Sequence, residues 1–449
     1  MAMRNKKFSI VVKSKIKEFK KTIEVDSDKS ISIRSFLIGA ISQGISKAQN
    51  ILESDDVIAT ISCLKKLGVK INKTGSRKYE IYGKGLGSLH CKKKTILDCQ
   101  NSGTLSRLLI GILSSTPDIE VVIKGDSSLN KRNMSKLIGL MEQFGAEFTK
   151  NKSHFPLKMI SSEMPIGITY KAGVSAQLKS AVILAGLNSY GNTNIIEEKR
   201  SRNHTENIIL NSKNVLSIKK GKKKIIKVVG KKNLDSININ VPADPSSAAF
   251  FTALTILNKN SSLIIKNVGL NKTRIGFYEL LKKHGAKIFF KNIKKKNNEI
   301  VGDILVASSK LKPISASKEY YAKATDEYPI MFVVAALTKG VSTFRGIEDL
   351  ANKESNRITE MQKILKQAGI KSKYKKNTIK IFGNSQLNNK KKIINVPNLN
   401  DHRICMSATI LSTVTNINSN IKNFSTVQTS SPNFLKIFKS LGGKFEKKL

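Results

Sequence analysis

Two kinds of helix alternate along the chain, and the pattern of apolar positions separates them. The first kind is apolar on nearly all faces and opens with Ser or Asp, which are preferred at helix N-caps. This pattern is typical of a helix buried inside a layer, because a surface helix keeps one polar face. Six segments fit it, and they begin at Ser32, Ser102, Ser175, Asp244, Asp326 and Asp401.

The second kind of helix ends in glycine and passes directly into a strand, as in LKKLGVKI from Leu64. The glycines of this passage lie 77, 140, 84 and 73 residues apart, so the long gap is expected to hold one copy without glycine, at TENIILNSKNVLSI from Thr205. Six units of about 75 residues then account for the 449 residues. The glycines are Gly68, Gly145, Gly285, Gly369 and Gly442.

Short β-rich runs lie between the helices, at 8–12, 121–124, 225–229 and 263–266. The predicted fold class is therefore α/β (α+β). Since a single core stops growing near ~250 to 300 residues, we expect two similar domains of three repeats. Pro242 and Pro245 interrupt the pattern, which places residues 27–241 in the first domain and residues 1–26 with 242–449 in the second.

The charge of the chain favours anionic ligands. Lys and Arg number 79 against 32 Asp and Glu, which gives a net charge of +47. Nucleic acid would be the first candidate on charge alone, but the chain has no Trp and only 6% aromatic residues, so bases would find few stacking surfaces. We expect small anionic molecules as partners and no nucleic acid.

Cysteine and histidine usage predicts neither disulfides nor a metal. The 4 cysteines form no CxxC pair and the 5 histidines are scattered. The apolar runs are shorter than the ~20 residues that cross a bilayer, and the N-terminal segment lacks a signal-peptide pattern. These features predict a cytoplasmic protein without a membrane segment.

Arginine carries more information than lysine here, because only 11 Arg stand against 68 Lys. A planar guanidinium grips a phosphate or carboxylate with two bonds, whereas an ammonium acts as a point charge. Six of the arginines lie near helix-start signals, where anions bind. They are Arg34, Arg107, Arg132, Arg202, Arg357 and Arg403.

Eight short motifs contain most of these arginines. In order they are DKSISIR (28–34), NSGTLSR (101–107), GDSSLNKR (125–132), VSAQLKSA (174–181), SRNHTE (201–206), ATDEYP (324–329), NKESNR (352–357) and DHR (401–403). The set resembles, in order and over essentially the whole chain, the 5-enolpyruvylshikimate-3-phosphate synthase family.

The resemblance implies an inside-out α/β barrel fold: two domains of three βαβαββ-type repeats with buried parallel helices and an active site in the interdomain cleft. It implies transfer of the enolpyruvyl group of phosphoenolpyruvate to the 5-hydroxyl of shikimate 3-phosphate, by addition and elimination with release of phosphate. This is a step of aromatic amino-acid biosynthesis. No cofactor is implied, and we expect a monomer.

The resemblance also assigns residues. Asp326 is expected to take the proton of the 5-hydroxyl, Glu354 to protonate the methylene carbon of phosphoenolpyruvate, and Lys29 to assist catalysis. Shikimate 3-phosphate would contact Lys29, Ser30, Arg34, Ser175, Ala176, Gln177, Arg202, Asp326 and Lys353. Phosphoenolpyruvate would contact Lys29, Gly103, Arg132, Gln177, Arg357 and Arg403.

Sensitivity to the family inhibitor glyphosate stays open. Ala176 and Thr429 match the tolerant branch of the family, whereas Gly103 matches the sensitive one.

Three other functions remain as alternatives. A UDP-N-acetylglucosamine enolpyruvyl transferase would share the fold but carry a reactive Cys in a PGRC-like loop. An RNA terminal-phosphate cyclase would need a nucleotide-attachment His, and a non-catalytic RNA-binding protein would bind RNA with a steep salt dependence. Taken alone, NKESNR would be a solvated helix start.

Overall fold

The computed structural model describes residues 7–13, 16–149, 153–385 and 393–448. The chain divides into two compact units. The first unit is Ser27–Pro242 with Lys295–Glu299, and the second is Ala243–Lys294 and Ile300–Leu449 with the residues before Ser27. Residues 295–299 were expected in the second domain; they group with the first because Oε1 of Glu299 lies 2.7 Å from Nδ1 of His204 and 2.9 Å from Nδ2 of Asn207.

The described residues form strands in every predicted β-rich run. The strands are β1 Ser9–Val12, β2 Lys20–Ile23, β3 Gln43–Gln49, β4 Ile71–Gly75, β5 Lys78–Lys84, β6 Thr95–Asp98, β7 Glu120–Lys124, β8 Glu147–Phe148, β9 Leu157–Ile160, β10 Thr169–Ala172, β11 Asn192–Glu197, β12 Leu216–Lys219, β13 Lys224–Val229, β14 Asn238–Asn240, β15 Ser262–Gly269, β16 Lys287–Lys296, β17 Glu299–Ala307, β18 Ser315–Ala316, β19 Gly340–Arg345, β20 Lys371–Lys375, β21 Thr378–Gly383, β22 Ile393–Val396, β23 Asn418–Ile421 and β24 Phe445–Lys448.

The helices alternate with these strands. They are α1 Lys29–Ile41, α2 Asp55–Lys66, α3 Gly103–Ser114, α4 Ser135–Glu142, α5 Ala176–Leu187, α6 His204–Ile209, α7 Pro245–Leu257, α8 Gly276–Lys283, α9 Tyr320–Ala324, α10 Tyr328–Ala336, α11 Arg357–Gln367, α12 His402–Thr415 and α13 Phe434–Ser440.

Within the described ranges, the strands make six four-stranded sheets of one design, three in each unit. In each sheet an outer strand pairs in parallel with its neighbour, and that neighbour pairs antiparallel with the third strand. The predicted α/β fold of repeated units is confirmed. The strand orders are β14-β3-β5-β4, β6-β7-β9-β8, β10-β11-β13-β12, β2-β15-β17-β16, β18-β19-β21-β20 and β22-β23-β1-β24.

Three of the repeats borrow a strand from a distant part of the chain. β14 completes the sheet of β3–β5, β2 completes that of β15–β17, and β1 enters the sheet of β22–β24. Because β1 and β2 precede α1 but pair with strands that follow residue 242, the segment before Ser27 belongs to the second unit.

The helices that are apolar on all faces are buried, as predicted. They are α1, α3, α5, α7, α10 and α12, and each unit has its own hydrophobic cluster around three of them. Two expected starts are wrong. α1 is capped by Asp28 and not by Ser32, and α10 begins at Tyr328 without a side-chain cap, so Asp326 is not an N-cap.

The predicted glycines end the other helices. All five have positive φ, between 79° and 102°, a conformation that costs glycine little. In the copy without glycine, Asn214 adopts φ 59° between α6 and β12, and asparagine tolerates that region better than most residues do.

Candidate active site

The start of α1 positions three of the predicted residues in the first unit. Oδ1 of Asp28 accepts a hydrogen bond from the backbone N–H of Ile31, which fixes the first turn. Nζ of Lys29 lies 2.8 Å from Oδ2 of the buried Asp56 on α2. One turn later, Nη1 of Arg34 donates to the backbone oxygen of Ser30 at 3.0 Å.

Neutral hydroxyls orient the buried Arg34. Its Nε donates to Oγ1 of Thr205 at 2.8 Å and its Nη2 to Oγ of Ser180 at 3.2 Å. Thr205 in turn donates to Ser180 at 2.8 Å. Because hydroxyl groups carry no charge, these hydrogen bonds orient the guanidinium without neutralising it, as anion binding requires.

The starts of α3 and α5 hold a second group of predicted residues. Nη1 of Arg107 donates to the backbone oxygen of Gly103 and to Oε1 of Gln177, both at 2.9 Å. Nη2 of Arg132 donates to Oδ1 of Asn101 at 2.7 Å. A methyl group on Gly103 would lie 2.6 Å from Nη1 of Arg107 and 2.7 Å from Nη1 of Arg132, so the absent side chain lets both arginines approach the helix start.

The remaining predicted residues of this unit lie beside this group. Oγ of Ser175 accepts from the backbone N–H of Leu178, so Ser175 is the N-cap of α5 and Ala176 its first residue. Arg202 lies in the segment between β11 and α6, three residues before the Thr205 that contacts Arg34.

Lys179 belongs to the VSAQLKSA motif, two residues after Gln177, but its side chain is fully buried. Its Nζ lies 2.8 Å from both Oε1 of Glu197 and Oε1 of Glu206. Lys224 contacts the same two carboxylates, at 3.1 and 3.3 Å. Burial alone would raise the pKa of Glu197, but Lys179 and the other partners outweigh it and lower this pKa to about 2. Lys179 therefore neutralises internal carboxylates.

In the second unit, the guanidinium of Arg357 lies beside both predicted carboxyls, those of Asp326 and Glu354. Nη2 of this buried arginine donates to Oε2 of Glu354 at 2.6 Å, and its Nη1 lies 3.8 Å from Oδ1 of Asp326. Its Nε donates at 2.9 Å to Oδ2 of Asp401, the N-cap of α12. Burial opposes the charge on Arg357, but Asp401 and Glu354 raise its pKa above the ordinary value. The guanidinium thus contacts both carboxyls to which proton transfer was assigned.

Lys353 and Arg403 complete the predicted set. Burial lowers the pKa of Lys353, while the nearby Asp326 partly opposes this shift. Nζ of Lys353 lies 5.8 Å from the ring centroid of Tyr321. Arg403 is buried over the ring of Phe250, and its Nε and Nη1 have no hydrogen-bond partner among the described residues. Unpaired buried donors of this kind suit an anionic ligand.

Among the described residues, three charged side chains that contact this set were not assigned to the site from the sequence. Asp56 holds Lys29, Asp401 holds Arg357, and Arg274 lies between Asp244 and Asp326. Asp401 is part of the DHR motif, but the sequence indicated only its role as N-cap and not its contact with Arg357. Arg274 could have been singled out as one of the 11 arginines, although no helix-start signal in the sequence marks it.

Each unit therefore carries groups whose chemistry suits the proton and charge handling of anionic ligands. The first has cations at the starts of buried helices, where the helix dipoles also favour negative charge. The second adds two partly exposed carboxyls, with side-chain exposures of 24% for Asp326 and 19% for Glu354. Among the described residues, no cluster of three or more His, Cys, Asp or Glu could hold a metal ion. No helix in the described part of the chain is long and apolar enough to cross a membrane.

Solved structures define the class of protein. An EPSP synthase from Acinetobacter baumannii superposes with a TM-score of 0.84 at 32% identity, covering 98% of this chain and 100% of that one. The enolpyruvyl transferase NikO from Streptomyces tendae reaches a TM-score of 0.76 at 11% identity, over 98% of this chain and 99% of its own. The fold is that of the enolpyruvyl transferases.

Sequence comparisons identify the family within this class. Residues 13–438 match the family model of EPSP synthase (3-phosphoshikimate 1-carboxyvinyltransferase). The 3-phosphoshikimate 1-carboxyvinyltransferases of Zymomonas mobilis and Caldicellulosiruptor bescii are 37% and 38% identical, over 94% and 92% of this chain and 94% of each relative. The chain belongs to the EPSP synthase family, whose members are transferases.

Proposed function

We propose that this protein transfers the enolpyruvyl group of phosphoenolpyruvate to the 5-hydroxyl of shikimate 3-phosphate. One observation carries the proposal: Asp326 and Glu354, the two carboxyls that the reaction needs, both contact the buried guanidinium of Arg357. The chemistry needs one group to remove a proton from the hydroxyl and one to deliver a proton to the methylene carbon.

The proposed steps balance without a cofactor. Asp326 takes the proton of the 5-hydroxyl as its oxygen bonds to C2 of phosphoenolpyruvate, and Glu354 supplies a proton to C3. Glu354 then takes a proton back from C3 as the double bond forms again, the C2–O bond to phosphate breaks, and inorganic phosphate leaves with the proton that Asp326 had taken. Arg357 and Arg403 hold the negative charge of phosphoenolpyruvate during these steps.

The first unit would bind the remaining anionic groups. Ser30 and Arg34 would hold the phosphate of shikimate 3-phosphate, and Lys29, Ser175, Ala176, Gln177 and Arg202 would contact the same substrate. Asp326 and Lys353 would contact it from the second unit. Lys29, Gly103, Arg132 and Gln177 would contact phosphoenolpyruvate. Since neither unit alone contains both the Arg34 set and the Asp326 set, we propose that the reaction needs groups from both units.

The remaining expectations are part of the same proposal. We propose that the protein acts as a monomer in the cytoplasm on these small anionic substrates, and that nucleic acid is not a partner. Sedimentation velocity would give a single species with the mass of one chain. A dimer or an RNA-bound species would contradict the proposed monomer or the absence of nucleic acid as a partner. Neither result would bear on the proposed reaction.

Phosphate release tests the reaction. Purified protein is given phosphoenolpyruvate alone, with shikimate 3-phosphate, or with UDP-N-acetylglucosamine, and inorganic phosphate is measured over time. We expect release only with shikimate 3-phosphate and a loss of at least about a hundredfold in Asp326→Asn. Release with the nucleotide sugar would favour the other branch of the enolpyruvyl transferases.

A further inference from the structure

Arg274 is a buried arginine that the assigned site does not include. It lies between β15 and α8, and its side chain is 3% exposed. Nη2 donates to Oδ1 of Asp244 and to Oγ of Ser246, both at 2.9 Å. Asp244 is the N-cap of α7, so the guanidinium is attached to the first turn of a buried helix.

The other end of the same guanidinium faces the proposed base. Nη1 of Arg274 lies 4.0 Å from Oδ2 of Asp326, and Nη1 of Arg357 lies 3.8 Å from Oδ1. Each oxygen of one carboxyl therefore has a different buried guanidinium beside it. Both distances exceed those of a direct hydrogen bond, so these two contacts are electrostatic.

Both guanidiniums are fixed by other bonds, and this fixes the field around Asp326. Arg274 is held at the start of α7, and Arg357 is held by Asp401 at the start of α12. Rotation of the Asp326 carboxyl would take at least one oxygen away from its cation. A general base must hold a lone pair toward the hydroxyl, because small errors of orientation cost large factors in rate.

We propose that Arg274 is a positioning residue for the carboxylate of Asp326, an inference that rests on the proposed function. Together with Arg357 it holds Asp326 ionised and in one orientation toward the 5-hydroxyl. Arg274 contacts the base and not the reacting atoms.

The charges around Asp326 set the sign of the expected pH effect. Loss of the Arg274 cation removes one interaction that favours the charged carboxylate, so Asp326 would hold its proton to a higher pH. Lys353 and Arg357 remain as cations, and the neighbouring acids work in the opposite direction. Among the described residues, the charged and titratable groups that face Asp326 or share its partners include Arg274, Arg357, Lys353, Glu354, Tyr321, Asp349, Asp244 and Asp401. Glu327 is linked to Arg274 through Ser246, which donates to Glu327 and accepts from Arg274.

The test is the pH dependence of phosphate release by Arg274→Gln and Arg274→Lys. For Arg274→Gln we expect the acidic limb of kcat/KM to move up by about one pH unit, since a cation 4 to 6 Å away shifts a carboxyl by about that much or more. We also expect the kcat plateau to fall about tenfold to a hundredfold. Arg274→Lys should restore the acidic limb but not the plateau, because an ammonium cannot hold Asp244 and face Asp326 at once.

Controls separate positioning from folding and from failure of the proposed function. Arg345→Gln removes an exposed arginine and should leave both the plateau and the limb unchanged, and thermal melting shows whether each variant is folded. If wild-type protein releases no phosphate with shikimate 3-phosphate, the proposed function fails. If wild type is active and Arg274→Lys has a wild-type plateau, or folded Arg274→Gln has a wild-type acidic limb, the role of Arg274 is wrong.

Discussion

Nζ of Lys29 lies 2.8 Å from Oδ2 of Asp56, and both side chains are largely buried. Lys29 opens α1 and Asp56 lies in the first turn of α2, so the pair connects two helices of the first unit. In the proposed function, the ammonium of Lys29 contacts both substrates. This ammonium already has a fixed counter-charge in Asp56. Asp56 keeps the lysine in one orientation and offsets the cost of burying its charge.

Replacement of Asp56 should impair binding more than folding. In Asp56→Asn the lysine loses the carboxylate that fixes its direction, so we expect kcat/KM for phosphoenolpyruvate to fall about tenfold. Asp55→Asn is the matched control, because Asp55 is the exposed neighbour in the same helix turn. Equal losses in the two variants would show that the helix start, and not the contact with Lys29, is what matters.

Gly103→Ala should change substrate binding and leave stability almost intact. The added methyl meets only the ends of two arginine side chains, which move easily, so the free energy of unfolding should change by about 1 kcal/mol or less. The displaced Arg107 and Arg132 should raise KM for phosphoenolpyruvate about tenfold, equivalent to ~1.4 kcal/mol. A glyphosate titration of both proteins then decides the open question of sensitivity.

Gly111→Ala is the contrasting variant for the stability measurement on Gly103→Ala. Its methyl would lie 2.6 Å from the backbone oxygen of Ala181, where α3 packs against α5. Backbone cannot move aside as a side chain does, so we expect a loss of about 1–3 kcal/mol in the free energy of unfolding. A Gly103→Ala protein as unstable as Gly111→Ala would contradict the assignment of Gly103 to binding.

The buried pair of Lys179 and Glu197 should make the free energy of unfolding depend on pH in acidic solution. Since the pKa of Glu197 is lowered from 4.5 to about 2, its contribution is complete above 4.5 and is lost as the pH falls toward 2. Glu197→Gln should therefore be less stable than wild type at pH 7, and this difference should shrink below pH 4.5. Urea midpoints measure it, and Glu198→Gln at the exposed neighbouring position should show a much smaller difference at pH 7.

Lys353 should lose its charge at a lower pH than an ordinary lysine, because burial lowers its pKa from 10.5. If it binds shikimate 3-phosphate, KM for this substrate should rise in alkaline solution before pH 10.5 is reached. Lys353→Arg should remove the rise, since arginine stays charged there. Lys339→Arg, at an exposed position, should leave the pH dependence of KM as in wild type. If KM also rises in alkaline solution for Lys353→Arg, the proposed contact between Lys353 and shikimate 3-phosphate is wrong.

Local sequence patterns predicted the repeated fold because each repeat carries its own helix caps and helix-ending residues. The five glycines at positive φ and the caps Ser102, Ser175, Asp244 and Asp401 are readable within a few residues. The borrowed strands are harder to assign. β2 pairs with β15 about 240 residues later, and β14 pairs with β3 about 190 residues earlier, which no local pattern specifies.

The partners of the charged side chains could not be predicted in the same way. Lysine is common on this surface, so nothing near Lys179 signals that its ammonium is buried between Glu197 and Glu206. Arg274 and Asp326 are separated by 52 positions, and their approach depends on how α7 and α10 pack together. The motifs indicated candidate residues, and the packing showed which of them contact one another.

The most direct measurement is the phosphorus balance of the reaction, followed by ³¹P NMR on wild-type protein with phosphoenolpyruvate and shikimate 3-phosphate. The account predicts one inorganic phosphate for each shikimate 3-phosphate consumed, with a new phosphate-ester signal growing at the same rate, and neither change in Asp326→Asn. Phosphate formed without loss of shikimate 3-phosphate, or undiminished turnover in Asp326→Asn, would contradict it.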